Sequence, residues 1–346
     1  MKENEEIRLA KLIHESLQQK QTTVLSDDKN GAIIRCVDNM KWRITRVTAE
    51  KIKEIKKAKN AVILAHYYVP EEVQAVADYI GDSFQLSKIA KETDADIIVF
   101  CGVSFMGESA AILNPDKKVL MPDIAADCAM AHMVDLNKVA KLKEQYEDLA
   151  VVCYINSTAE IKTYSDVCVT SANAVKVVRN LPNKHVFFIP DGNLGRYVKE
   201  QIPEKEIILN DGYCPIHAAM TKEEVLEAKD KYPNAKFLVH PECTKELLDE
   251  ADYIGSTSGI IDFVAKDDNE EYIIGTEIGV FYELRKQNPK KKFYTLSKEP
   301  ICADMKYVTL EKVLEVLERE NNVITVEDEL RKRALIPLDR MLELAK

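Results

Sequence analysis

The chain has 346 residues, 46% hydrophobic and 31% charged, a balance that suits a globular protein with a sizeable core. Its formal net charge of −10 argues against nucleic acid as a partner, because a nucleic-acid binder of this size carries a basic balance. Residues Met1 to Ser16 contain no apolar signal core and no apolar run is long enough to cross a bilayer, so the expectation is a cytoplasmic protein with no membrane partner.

In chain order, residues 1–50 read as an N-terminal extension, with an amphipathic helix over Glu5–Gln19 and a small hairpin around Gly31–Arg46. A repeat follows. Asp78-Tyr79-Ile80-Gly81 returns as Asp252-Tyr253-Ile254-Gly255, 174 residues later, and half that distance falls near Asp166-Val167-Cys168-Val169. Apolar runs at Val62–Ala65, Val151–Cys153 and Phe237–Val239 end at His66, Tyr154 and His240, spaced by 88 and 86 residues. A second set of apolar runs, at Ile97, Val186 and Tyr272, keeps the same register.

Each copy reads strand, helix, strand, helix, strand, helix, strand. Buried apolar strands alternating with helices predict parallel sheets flanked by helices. The fold class is therefore α/β, with three pseudo-repeated α/β/α lobes around a central pseudo-threefold axis. The lobes are placed at residues 51–140, 141–225 and 226–315, and 316–346 is a C-terminal tail whose last part, from Val323, returns to the body or lies on its surface. Ser83, Ser171 and Thr257 stand at the starts of equivalent helices, where a hydroxyl is expected to cap the helix.

Ligands of open α/β sheets bind beyond the carboxyl ends of the strands. The residues at those ends are His66 and Tyr68, Tyr154 and Asn156, and His240 and Glu242. The eight cysteines include no C-x-x-C pair, which removes zinc-knuckle and ferredoxin-type runs. Three of them, Cys128, Cys214 and Cys302, keep the repeat spacing at 86 and 88 residues; Cys36, Cys101, Cys153, Cys168 and Cys243 read as structural. Three thiolates meeting on a pseudo-threefold axis suit a [4Fe–4S] cluster bound at three corners with its fourth iron open. Zinc with three thiolates and an open position fits the same pattern.

The segments Ala65-His66-Tyr67-Tyr68, Gly81-Asp82-Ser83, Tyr154-Ile155-Asn156-Ser157, His240-Pro241-Glu242-Cys243 and Gly255-Ser256-Thr257 resemble the signature segments of the quinolinate synthase family. So do the neighbourhoods of the three cysteines, and the resemblance spans roughly residues 50 to 310. It implies an enzyme of NAD biosynthesis that condenses iminoaspartate with dihydroxyacetone phosphate to quinolinate, with loss of phosphate and water. It also implies a [4Fe–4S] cluster on Cys128, Cys214 and Cys302. Iminoaspartate contacts are implied at His66, Ser83, Tyr154, Ile155, Asn156, Ser171, His240, Pro241, Glu242 and Thr257. The expected roles are Glu242 as general base, Tyr68 and His66 as proton donors to departing oxygens, and His217 as an orienting group beside the cluster. An aspartate-oxidising enzyme is implied as the functional partner. Two rivals share the residues: a zinc-dependent lyase or hydrolase, and an oxygen-sensing binding protein that needs no acid–base set.

Overall fold

A computed structural model describes residues 45–345. The expected helix over Glu5–Gln19, Cys36 and nearly all of the hairpin around Gly31–Arg46 lie outside the described residues. The described chain opens on a helix through 45–58, which crosses the expected boundary at residue 50.

Twelve strands form three four-stranded parallel sheets among the described residues. The first holds β1 (Ala61–His66), β2 (Tyr79–Gly81), β3 (Ile97–Cys101) and β4 (Lys118–Leu120). The second holds β5 (Ala150–Tyr154), β6 (Val167–Val169), β7 (His185–Ile189) and β8 (Glu206–Leu209). The third holds β9 (Lys236–Val239), β10 (Tyr253–Ile254), β11 (Glu271–Gly275) and β12 (Lys292–Tyr294). In each sheet the second strand lies outside the first, and the third and fourth follow on the other side: β2-β1-β3-β4, β6-β5-β7-β8 and β10-β9-β11-β12. The chain thus reverses direction across the sheet between its first and third strands, the place where a crevice opens at the carboxyl ends. β3 and β5 are buried along their whole length, as expected of parallel strands covered on both faces.

The repeated aspartate has a structural explanation. Asp78, Asp166 and Asp252 each accept the N–H of a first-strand residue fifteen positions earlier: Ile63 at 2.8 Å, Val151 at 2.7 Å and Phe237 at 2.7 Å. Each also returns its own N–H to that residue's carbonyl at 2.9 Å. The pair of bonds sets the register of the second strand against the first in all three lobes, so this part of the repeat belongs to the fold and not to the cavity.

The helices after the second strands begin near the expected hydroxyls, but those hydroxyls are not the caps. Asp82 caps Ser83–Glu92 by accepting from Phe84 and Gln85 N–H, and Ser256 caps Thr257–Lys266 by accepting from Gly259 N–H. In the second lobe a turn intervenes and Ala174–Asn180 begins after Asn173, with no side-chain cap bond. A carboxylate or hydroxyl one residue earlier takes the capping geometry in the outer two cases, which leaves Ser83 and Thr257 inside the first turn.

The helix Leu310–Arg319 runs across the expected start of the tail at residue 316. After it, the helix Asp328–Leu344 returns to the body. It buries Ala334, Pro337, Leu338 and Met341 against β6, the short helix Ala159–Lys162 and the first-lobe helix Ser104–Leu113.

Asp166→Ala should lower unfolding free energy by about 1–3 kcal/mol, because the Val151 N–H loses its partner at the start of a buried strand. The readout is the urea midpoint at unchanged m-value. A midpoint equal to the parent protein's would mean the register is set by the sheet alone.

Candidate active site

The strand ends converge. His66 and Tyr68 from β1, Tyr154 and Asn156 from β5, and His240 and Glu242 from β9 line one cavity of about 210 Å³, with Ser83, Ser171 and Thr257 on its walls. Cys128, Cys214, Cys302 and His217 line it too. The middle residues of the extended segments do not. Ile155 is buried with its N–H on the Val169 carbonyl, and Pro241 is buried outside the lining. Alternation along extended chain turns one residue in two toward the cavity, so the expected contacts at Ile155 and Pro241 are not lining side chains.

Each cavity cysteine occupies the same local position. Cys128, Cys214 and Cys302 immediately precede the single-turn helices Ala129–His132, Pro215–Ala218 and Ala303–Lys306. Backbone N–H groups three residues on, of Ala131, His217 and Met305, favour the anionic form of each sulfur, the Ala131 N–H while donating to the Cys128 carbonyl at 2.9 Å. Burial pushes all three thiols up, Cys128 to about 12, and these N–H groups work against that push. Donors beside sulfur favour an anionic ligand, so three such sulfurs on one cavity fit a thiolate-held metal group. The remaining thiols, Cys101, Cys153, Cys168 and Cys243, are buried core residues. A second donor set overlaps the first: ligand atoms of Cys214, His217 and Glu242 lie within 4.8 Å of one another.

The two strand-end histidines are built alike. His66 Nδ1 accepts the Tyr68 N–H at 3.2 Å, and His240 Nδ1 accepts the Glu242 N–H at 3.3 Å. Burial lowers the pKa of each to about 3, against the raising influence of Glu242. Both are therefore neutral with the proton on Nε2, which makes them donors into the cavity. His240 Nε2 uses its proton on Ser171 Oγ at 3.2 Å.

Glu242 is 3% exposed and still ionised. Burial opposes its charge, but His240, His217 and Tyr154 overcome the cost and bring its pKa down to about 2. The closest partner is His217 Nδ1, 2.7 Å from Glu242 Oε2 and 3.2 Å from Cys214 Sγ. The other face of the same imidazole, Nε2, meets Thr276 Oγ1 at 2.9 Å. Thr276 Oγ1 in turn lies 2.7 Å from Tyr68 Oη, which is also 2.7 Å from Thr257 Oγ1. Burial pushes the Tyr68 phenol pKa well up, so it holds its proton. A continuous chain of hydrogen bonds thus joins Glu242 of the third lobe to Tyr68 of the first through His217 of the second.

No lysine or arginine lines the cavity among the described residues. Its polar walls are hydroxyls, imidazoles, thiols, carboxylates and the Asn156 amide, and two oxygens on the second lobe, Asn156 Oδ1 and Thr170 Oγ1, are buried without a protein partner.

Several of these groups escape sequence reading. Thr276 has no signal, because its counterparts in the repeat are Gly102 and Pro190. Asp191 and Glu277 did carry one, their spacing of 86 residues, the same as between Cys128 and Cys214. Asp191 accepts the Cys214 N–H and Glu277 the Cys302 N–H, both at 3.1 Å. Burial pushes the Asp191 carboxyl up, with the charge of Glu242 adding to it, while the N–H groups of Leu194, Asn193 and Cys214 pull it back.

A family model described as "Quinolinate synthetase A protein" matches residues 50–343. The chain is 52% identical over 296 residues to the quinolinate synthase of Clostridioides difficile, covering 86% of this chain and 97% of that protein. It is 53% identical over 296 residues to that of Fusobacterium nucleatum, covering 86% and 99%. The archaeal quinolinate synthase of Methanosarcina barkeri is 52% identical over 293 residues, covering 85% and 96%.

The neutral histidines carry a pH signature. Their folded pKa lies below the ordinary histidine value of 6.5, so between pH 6.5 and about 3 the unfolded chain binds more protons and stability falls as pH falls. Each contributes a slope of about 1.4 kcal/mol per pH unit within that window. In His66→Asn the slope of stability against pH, measured by urea denaturation, should be shallower by one proton; an unchanged slope would mean His66 is charged in the folded chain.

Proposed function

The chain belongs to the quinolinate synthase family and is an enzyme of that type, and we propose that it condenses iminoaspartate with dihydroxyacetone phosphate to quinolinate, phosphate and two waters. We further propose that Cys128, Cys214 and Cys302 hold a [4Fe–4S] cluster. The observation that carries the reading is the equivalent placement of the three cysteines, each with a backbone N–H that favours its anionic sulfur, on a cavity that also holds an ionised Glu242. When bound, the cluster would supply a Lewis-acidic iron that has no cysteine ligand.

The chain's own residues carry the proton traffic. Ser83, Ser171 and Thr257 bind the carboxylates and the phosphate as hydroxyl donors, and Asn156 and Thr170 supply the unpartnered oxygens of the second-lobe wall. His66 donates from Nε2 to a substrate oxygen, and His240 donates from Nε2 to Ser171; neither is a base, because Nδ1 is engaged by the backbone. Glu242 takes protons from carbon. In the free cavity its pKa of about 2 makes it a weak base, and the negative charge of an arriving substrate raises it toward the working range.

The hydrogen-bond chain orients the base and the acid. His217 donates from Nδ1 to Glu242 and accepts at Nε2 from Thr276, which accepts from Tyr68. Every bond in this chain points toward Glu242, so it supports the ionised carboxylate and fixes the Tyr68 hydroxyl; Glu242 as base and Tyr68 as acid act on the substrate separately, each exchanging its proton with water after turnover. Condensation, phosphate loss and dehydration are redox-neutral, so the path needs no electron donor. Iminoaspartate is unstable, and we propose an aspartate-oxidising enzyme as its source and the cytoplasm as the place. No helix among the described residues is long and apolar enough to cross a membrane.

The Cys214–His217–Glu242 donor set supports one rival, a zinc site. Anaerobic purification with iron, sulfide and zinc analysis separates the two. The proposal expects about four irons and four sulfides per chain, and quinolinate from iminoaspartate generated in place. Cys128→Ala, Cys214→Ala and Cys302→Ala should each abolish both. Glu242→Gln should keep the cluster and lose at least about 100-fold in turnover. One zinc without iron, or a full cluster without quinolinate, would sink the reading.

A further inference from the structure

The three cysteine loops share one fastening and differ in a second. In every lobe, the first N–H of the helix after the third strand holds the carbonyl two residues before the cysteine. Ser104 N–H meets Ala126 O at 2.8 Å, Gly192 N–H meets Gly212 O at 2.8 Å, and Ile278 N–H meets Pro300 O at 3.1 Å. The approach is close enough that a Cβ on Gly192 would collide with the Asn210 carbonyl.

The second fastening exists in two lobes. Asp191 and Glu277, 0% and 1% exposed, each divide a carboxylate between two tasks. One oxygen caps the following helix, accepting Leu194 N–H or Gly279 N–H at 2.7 Å. The other accepts the cysteine's own N–H, and Lys306 Nζ lies 2.8 Å from Glu277 Oε1. In the first lobe the corresponding residue is Val103, with no side-chain cap. There the nearest carboxylate is that of Asp127, directly before the cysteine, which the Cys128 N–H helps to keep ionised. It is held by Ser104 Oγ and by His132 Nε2 at 2.7 Å, and the side chains of Asp127 and His132 are 45% and 55% exposed. Water competes for that fastening and not for the two buried ones.

We propose that Asp191 and Glu277 are positioning residues for the Cys214 and Cys302 sulfurs, and that Cys128, which lacks a buried carboxylate, is the ligand a cluster gains last and loses first. The inference rests on the reading that the three cysteines hold an iron–sulfur cluster. Two legs stay fixed as part of the fold while the third leg opens with its loop. In that step the Cys128 sulfur leaves iron with its electron pair and takes up a proton, and nothing is oxidised or reduced.

The test uses the full chain in two states. Without cluster, hydrogen exchange followed by mass spectrometry should show the backbone amides of Cys214 and Cys302 exchanging at least about tenfold more slowly than that of Cys128. Asp191→Asn should raise exchange at Cys214 about tenfold and leave Cys302 unchanged; Glu277→Gln should do the reverse. After anaerobic reconstitution, each variant should release iron to a ferrous chelator about tenfold faster than the parent at an unchanged melting temperature, with an altered paramagnetic spectrum of the reduced cluster. Equal exchange at the three cysteines of the parent chain, which needs no variant, overturns the proposal. So do variants with parental release rates and spectra. A chain that takes up no iron overturns the cluster reading and the order of loss together, and the exchange hierarchy still decides the fastening.

Discussion

One buried negative charge sets the terms for the assembly of the lobes. A carboxylate as enclosed as Glu242 costs several kcal/mol unless it is paired and hydrogen-bonded. Its partners come from two lobes: His240 from its own, and His217 and Tyr154 from the second. Through Thr276 the same network reaches Tyr68 in the first lobe. The groups that stabilise the charge come from the second and third lobes, so the ionised state of Glu242 depends on those two meeting. The group proposed as general base is thereby also a group that favours the meeting of the second and third lobes.

Equivalent positions have been put to different uses. His66 and His240 keep the same bond from the residue two places on, yet the middle copy has Tyr154, whose hydroxyl interacts with Glu242 instead. The threefold frame supplies positions. The identity of each side chain at those positions separates the acid, the base and the donors. Divergence within the repeat is concentrated where groups must differ in protonation, and identity is kept where they must share a geometry, as at the three cysteines.

Much of this was legible in the sequence because the repeat is written in strong signals. Apolar runs, strand-end polar pairs and three cysteines recur at 86 or 88 residues, and the sheets, the convergence and the shared cysteine positions follow from that register. What failed to show were the residues whose role is defined by a partner far along the chain. Thr276 reads as an ordinary strand-end threonine until Tyr68 and His217, 208 and 59 residues away, are placed beside it. The hydroxyls at Ser83 and Ser171 were misplaced as caps because several oxygen-bearing residues crowd each helix start, and only the backbone decides which one turns back.

Among the described residues no lysine or arginine lines the cavity, which bears on how the proposed anionic substrates would arrive and be held. Dipoles and hydroxyls act over a few ångströms, whereas a chain of net charge −10 repels anions at longer range. Encounter is therefore unassisted by the field, and added salt screens the repulsion while leaving the enclosed contacts almost untouched. For the proposed substrates, recognition would then rest on contacts made inside the cavity.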